Sequence, residues 1–199
     1  MKKFAVGMML LGSIAAFAHM SSKEAFNYMK EVLPGQWTLS PASKQIGTTG
    51  AHNHPAVKRL LGTDKTGVEY TVIGSGSAIK EELLPDTIRW MVTMYHCDHY
   101  PECNKLLATH YCAKKNQPSF VFNEEESTPK KLVFDCDEER SEVCDSDESH
   151  VHHIILELSN NNKHLKASYI VYKNGERANT HSIYHFDKRS FCKWNNMWK

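Results

Sequence analysis

The feature that most limits the fold of this 199-residue chain is a long succession of short segments in which polar and apolar residues alternate. Such alternation is typical of β-strands that turn one face to a core. Short turn sequences, such as Gly74-Ser75-Gly76 and Lys173-Asn174-Gly175, separate the segments. The predicted strands are Gln36–Ser40, Gly67–Ile73, Ser77–Leu83, Thr87–Cys97, Asn104–Ala113, Ser119–Asn123, Lys131–Asp135, His150–Leu158, His164–Tyr172 and Asn179–Phe186. About ten strands with short connections predict an all-β fold, an antiparallel up-and-down β-barrel.

A helix is predicted ahead of the first strand. Ser21 to Glu24 has the pattern of a capping box, and Ala25, Phe26 and Met29 follow at helical spacing. Pro34-Gly35 ends this helix. We therefore divide the chain into an N-terminal helix over 19–34, a barrel over 35–190 and a C-terminal tail over 191–199, with no linker that would mark a second folded domain.

Residues 1–18 have the pattern of a signal peptide. Lys2 and Lys3 form a basic start, an apolar stretch follows, and Ala16-Phe17-Ala18 is a cleavage motif. The apolar stretch is too short for a transmembrane anchor. We therefore expect cleavage after about Ala18, a periplasmic or secreted protein, and no stable membrane anchor. A formal net charge of +1 without clustered arginines argues against nucleic-acid binding.

All six cysteines lie at or beyond Cys97. Cys97 and Cys103 flank a predicted hairpin tip, and Cys136 and Cys144 bracket an acidic loop. In an exported protein both pairs are expected to form disulfides. Cys112 and the remaining cysteine, near the C-terminus, are then left, and their spacing does not decide whether they are paired or free.

Strand alternation indicates which side chains line the barrel, because residues two apart share a face. The sets that we expect to line it are Leu106, Ala108, His110 and Cys112; His150, His152, Ile154, Leu156 and Leu158; and Trp90, Val92, Met94 and His96. Each set combines apolar side chains with at least one imidazole.

Several of these segments together resemble an uncharacterised family of bacterial lipocalin-like (calycin-like) barrel proteins. The resemblance lies in Met94-Tyr95-His96, in Thr-His-Tyr-Cys ending at Cys112 and followed by Asn116-Gln117-Pro118, and in His150-Val151-His152. Gly35-Gln36-Trp37 is similar to the Gly-x-Trp opening of lipocalins. The resemblance covers about residues 33–188 and implies a calycin-like barrel without an established activity. The usual single cysteine of that family corresponds to Cys112, which implies that Cys112 is unpaired.

A barrel of this size can hold one small ligand. We therefore predict binding of a small apolar or amphipathic molecule in the barrel. The residues expected at this site are Trp37, Trp90, Met94, Tyr95, His96, His110, Cys112, His150 and His152.

Two alternatives use the same residues. Imidazole is a good ligand for zinc, copper or haem iron, so His110, His150 and His152 form the candidate metal set. A hydrolase or isomerase centred on Cys112 with His110 is the other alternative. Side chains two apart on one strand lie about 6–7 Å from each other, too far for direct proton transfer. The sequence therefore favours binding over catalysis.

Overall fold

The computed structural model describes residues 19–44 and 54–189, and within them the protein is all-β, as predicted. A capping helix, α1 (Ser22–Val32), and a short helix, α2 (Pro55–Lys58), accompany the strands. The strands are β1 (Gly35–Leu39), β2 (Thr66–Ile73), β3 (Ala78–Leu83), β4 (Met91–Cys97), β5 (Leu106–Tyr111), β6 (Ser119–Phe122), β7 (Lys131–Cys136), β8 (His150–Ser159), β9 (His164–Lys173), β10 (Glu176–Arg177) and β11 (Ser182–Lys188). The predicted signal peptide and the whole predicted C-terminal tail lie outside the described residues.

Antiparallel pairing of neighbouring strands closes the barrel. From β1 to β9 each strand pairs with the next along the chain, and β11 then pairs with both β9 and β1. Within the described ranges, ten strands form this closed ring, and the two-residue β10 pairs only with β9. Closure leaves no exposed edge along the main sheet, which confirms the predicted antiparallel barrel.

Helix α1 closes one end of the barrel. The Ser21 hydroxyl and the Glu24 carboxylate form the reciprocal bonds of a capping box, which fixes where the helix begins. Its buried face includes Phe26 and Met29, which join the barrel core. The Trp37 indole Nε1 donates to the Leu33 carbonyl at 2.9 Å and so ties the first strand to the end of the helix. We call the end covered by α1 the capped end. The opposite end carries the turns at 84–90, 112–118 and 137–149, and we call it the open end.

The interior is filled largely by aromatic side chains. Trp37, Tyr70, Tyr95, Tyr184, Phe120, Phe134 and Phe186 are among its fully buried residues. Rings of this size interlock around the barrel axis, with Tyr95 5.2 Å from Phe134 between ring centroids. A ligand occupying the middle of the barrel would have to displace these rings.

The predicted inner face of β4 is wrong by one residue. Met91, Thr93, Tyr95 and Cys97 are buried, whereas Val92, Met94 and His96 are only partly buried. Residues 84–90 form a turn outside the strand, in which Thr87 Oγ1 donates to the Leu84 carbonyl. The two faces of β4 differ little in hydrophobicity, and the inner face carries the polar Thr93, so alternation could not identify it.

A β-bulge changes the faces of β8. Its pairing with β9 shifts between Val151 and His153, which leaves His152 as the extra residue. Val151 therefore joins the core, and His152 instead stacks on Tyr172 with ring centroids 4.0 Å apart. The expectation that His152 lines the barrel with Ile154 is therefore corrected, because the bulge interrupts the two-residue period, whereas His150 is buried with 1% exposure.

Both predicted disulfides are present. Cys97 is bonded to Cys103 and Cys136 to Cys144, while Cys112 is a free cysteine. Paired cysteines of this kind indicate an oxidising environment. Over the described ranges, none of the helices has the length and apolar character needed to cross a membrane.

Candidate functional site

A buried carboxyl group lies at the centre of the barrel. Glu81 points inward because it shares a face of β3 with Ile79 and Leu83, and its exposure is 0%. Tyr70, Tyr95 and Tyr169 donate hydroxyl hydrogen bonds to its carboxylate oxygens at 3.1, 2.8 and 2.8 Å. Thr93 Oγ1 adds a fourth at 3.0 Å. Four strands thus contribute to one hydrogen-bond network, which we call the Glu81 network.

Burial and hydrogen bonding act in opposite directions on Glu81. Removal from water raises the pKa of this carboxyl group, and the four donating hydroxyls lower it in part. The hydroxyl pKa values of Tyr70, Tyr95 and Tyr169 are raised well above their ordinary range, first by burial and then by the neighbouring carboxylate. These tyrosines therefore act as neutral donors at all physiological pH values.

His110 extends the Glu81 network towards the open end. Its Nδ1 lies 2.9 Å from Thr93 Oγ1. Since the Thr93 hydroxyl proton is donated to Glu81, Thr93 Oγ1 accepts from His110 Nδ1–H, and a lone pair remains on Nε2. Burial lowers the pKa of His110 to about 4, so the ring is neutral near pH 7. Nε2 is buried without a hydrogen-bond partner in the part of the chain that the structure describes.

Cys112 directly follows β5 at the open end, and it is partly buried against the core. Burial raises the pKa of its thiol, although the positive charges of Lys114 and Arg89 oppose this effect. An activated cysteine nucleophile needs a lowered pKa and a neighbouring base. The environment of Cys112 shifts the pKa in the opposite direction, so the geometry favours a neutral thiol.

Exposed apolar side chains lie at the open end, on the 84–90 turn and at the last residue of β5, and we call this region the rim. Ile88, Trp90 and Tyr111 are 85%, 51% and 46% exposed. Arg89 lies between the first two, and its charge influences both Cys112 and the buried Tyr184. Within the described ranges the Arg89 guanidinium makes no ion pair or side-chain hydrogen bond, so its charge is available at this rim.

A second cluster lies where β7 and β8 approach the 137–149 loop. His150 Nδ1–H donates to the Glu148 carbonyl at 2.7 Å, and His150 Nε2 is 3.0 Å from His152 Nδ1. Ligand atoms of Cys136, His150 and His152 all lie within 4.8 Å of one another. Cys136 is in a disulfide, however, so its sulfur is not a thiolate in this state.

The structure divides the predicted site residues among several places. His110 and Tyr95 belong to the Glu81 network, and His150 and His152 meet in the second cluster, so the predicted metal set is not assembled around one point. Trp37 is a packed core residue next to α1, and Met94 lies on the outer face of β4. His96, also on that face, donates from Nδ1 to the Cys97 carbonyl at 3.0 Å.

Sequence reasoning missed Glu81 and its partners Tyr70, Thr93 and Tyr169. The signal for Glu81 was present, because Ile79, Glu81 and Leu83 alternate with Lys80 and Glu82 on a predicted strand. A charged residue in the apolar register of a strand indicates a buried, hydrogen-bonded group.

A groove of about 760 Å³ lies away from both clusters, between α2 and the 84–90 turn. Its lining includes Arg59, Asp64, Asp86 and Ile88, with positive and negative charges mixed, and it contains none of the predicted site residues. The groove shares Ile88 with the open end, but we place the candidate site beside His110, because the buried unpartnered nitrogen lies there. Comparison with known proteins identifies no relative, since neither a family model nor a curated protein matches the chain.

Proposed function

We propose that the protein binds a small amphipathic molecule at the open end of the barrel. Its polar group donates a hydrogen bond to Nε2 of His110 and faces Arg89. Its apolar part lies against Ile88, Trp90 and Tyr111. The site is thus a rim pocket above the Glu81 network and not a cavity in the middle of the barrel.

The observation that carries this proposal is the unpartnered Nε2 of His110. A buried polar atom without a partner costs about 1–3 kcal/mol, so a donor supplied by a ligand recovers that free energy on binding. The Glu81 network fixes the direction of the lone pair, because Thr93 holds the proton on Nδ1. The ligand is therefore expected to carry an O–H or N–H group.

The side chains of the rim are complementary to the rest of the proposed ligand. Large exposed apolar side chains are unfavourable unless something covers them. Ile88 and Trp90 are two positions apart, and Tyr111 pairs with Val92, which is two positions after Trp90. The unpaired Arg89 favours a negative group on the ligand. These features support an amphipathic anion over a purely apolar lipid.

Binding of 8-anilinonaphthalene-1-sulfonate tests the proposal, because this probe combines an N–H donor, a negative sulfonate and apolar rings. We expect Trp90→Ala, Arg89→Ala and His110→Phe each to weaken binding by about tenfold, which is 1.4 kcal/mol. Tyr100→Ala is the matched control, since Tyr100 is 56% exposed and contacts Lys30 of α1 at the capped end. Near-ultraviolet circular dichroism checks that each variant is folded.

Two results would contradict the proposal. One is unchanged affinity in all three rim variants. The other is an equal loss of affinity in Tyr100→Ala, which would show that the probe binds exposed aromatic surface in general.

We also infer that the protein works after export, since its two disulfides require an oxidising compartment to form. In that case the mature chain recovered from the periplasm or the medium begins at about His19. Its intact mass measures this directly, and a mass that includes residues 1–18 would refute cleavage.

A further inference from the structure

We propose that Cys136, His150 and His152 form a zinc site that the Cys136–Cys144 disulfide keeps closed and that a dithiol reductant opens. This site is distinct from the rim pocket, because His110 is not among the groups that converge on it. Zinc in proteins favours thiolate and neutral imidazole ligands, and three protein ligands leave a fourth position for water.

The two histidines already have the spacing of metal ligands. His150 Nε2 and His152 Nδ1 are 3.0 Å apart. Two nitrogens that each lie about 2.0–2.1 Å from one zinc ion are separated by roughly 3.0–3.4 Å. The metal therefore replaces a single hydrogen bond between the rings and needs little movement of the backbone.

Surrounding groups hold both rings in a suitable state. The Glu148 carbonyl accepts the Nδ1 proton of His150 at 2.7 Å and leaves Nε2 with its lone pair, as outer hydrogen bonds do at known zinc sites. His152 lies flat on Tyr172, with ring planes 16° apart.

The sulfur of Cys136 is the missing ligand. It lies within 4.8 Å of both imidazole nitrogens, but in the disulfide it carries no negative charge and binds metal poorly. Cys136 is partly exposed at the end of β7, so a reductant can reach the bond. Cys144 is carried by the 137–149 loop and not by a barrel strand.

A dithiol gives two electrons and two protons to the Cys136–Cys144 bond, which yields two thiols, while the dithiol itself becomes a disulfide. Zinc then displaces the proton of the Cys136 thiol into solvent. The Nδ1 proton of His152 moves to its Nε2, and both histidines bind through lone pairs. Binding thus releases one proton for each zinc ion.

Cobalt(II) is the probe for the test, because a cobalt–thiolate bond gives a charge-transfer band in the near ultraviolet. The parent is a Cys112→Ser/Cys192→Ser chain, which keeps both described disulfides. Adding Cys144→Ser frees Cys136 without a reductant. We expect the band only in this variant, together with about 100-fold tighter zinc binding than in the parent. His152→Ala in the same background should lose both.

Cys136→Ser is the matched control, since it breaks the same disulfide but frees Cys144 instead. Cys103→Ser frees Cys97 at the capped end and serves as a second control. No charge-transfer band in the Cys144→Ser variant, or an equal band in Cys136→Ser, would overturn the proposal.

A second measurement does not depend on the folding of these variants. The parent is reduced with a phosphine and alkylated with and without zinc, and the modified cysteines are mapped by peptide mass spectrometry. Zinc is expected to slow alkylation of Cys136 at least tenfold relative to Cys144. Equal alkylation of the two cysteines in the presence of zinc would refute the site.

Discussion

Replacement of Glu81 by leucine tests whether the Glu81 network stabilises the barrel. The substitution keeps a side chain of similar size but removes the acceptor of Tyr70, Tyr95, Tyr169 and Thr93, all of which are buried. A buried donor that loses its partner costs about 1–3 kcal/mol, so four such groups at the lower value give about 4 kcal/mol. That loss is a large share of the 5–15 kcal/mol that typically stabilises a domain.

Urea unfolding followed by tryptophan fluorescence measures the loss, and a double-mutant cycle identifies its cause. Tyr95→Phe alone should cost about 2 kcal/mol, because it removes a hydrogen bond to a charged group. In the Glu81→Leu background the same change should cost nothing, since the Tyr95 hydroxyl is already without an acceptor. Glu82→Leu is the matched control: it faces outward, pairs with Lys80 at 2.7 Å and should cost less than about 1 kcal/mol. Additive effects of Glu81→Leu and Tyr95→Phe would refute the reasoning.

Three further predictions concern pH, a disulfide and the helix cap. Burial holds the pKa of His110 at about 4, against 6.5 in the unfolded chain, so the unfolded state binds more protons between these two pH values. The free energy of unfolding should therefore fall by up to about 3 kcal/mol as the pH drops from 6.5 to 4. Urea unfolding of His110→Phe should lack this pH-dependent loss. Loss of the Cys97–Cys103 bond in Cys103→Ser should cost about 2–3 kcal/mol in the chain-entropy model, and an unchanged urea midpoint would contradict it. Ser21→Ala removes one half of the capping box and should lower stability by about 1 kcal/mol, with Ser21→Asp restoring most of it, which a thermal melt can detect.

Features that depend on residues close together in the sequence could be predicted. Alternation predicted the strands from β2 to β9 within a few residues, since apolar and polar residues alternate along most of them. The capping box located the start of α1, and the cysteines flanking short loops located both disulfides. On β5 the prediction that His110 faces inward also agrees with its burial.

The site itself depends on contacts that no local pattern contains. Glu81 is held by hydroxyls from three other strands, and Tyr169 lies 88 positions away along the chain. The bulge at His152 depends on how β8 pairs with β9, so a regular two-residue period assigned His152 to the wrong environment. In both cases tertiary pairing decided the outcome, and a single sequence carries little information about it.

Closure of the barrel has a consequence for how the chain reaches its folded state. Thr38 of β1 pairs with Asp187 of β11, 149 positions later, so the first strand has no second neighbour until almost the whole chain is available. Proteins with such distant pairings fold slowly, since a long loop must close, at a cost in conformational entropy, before the stabilising contacts between the strands can form. Until β11 pairs, β1 and β9 each present an unpaired strand edge to solvent, and such an edge is a template for pairing with another chain.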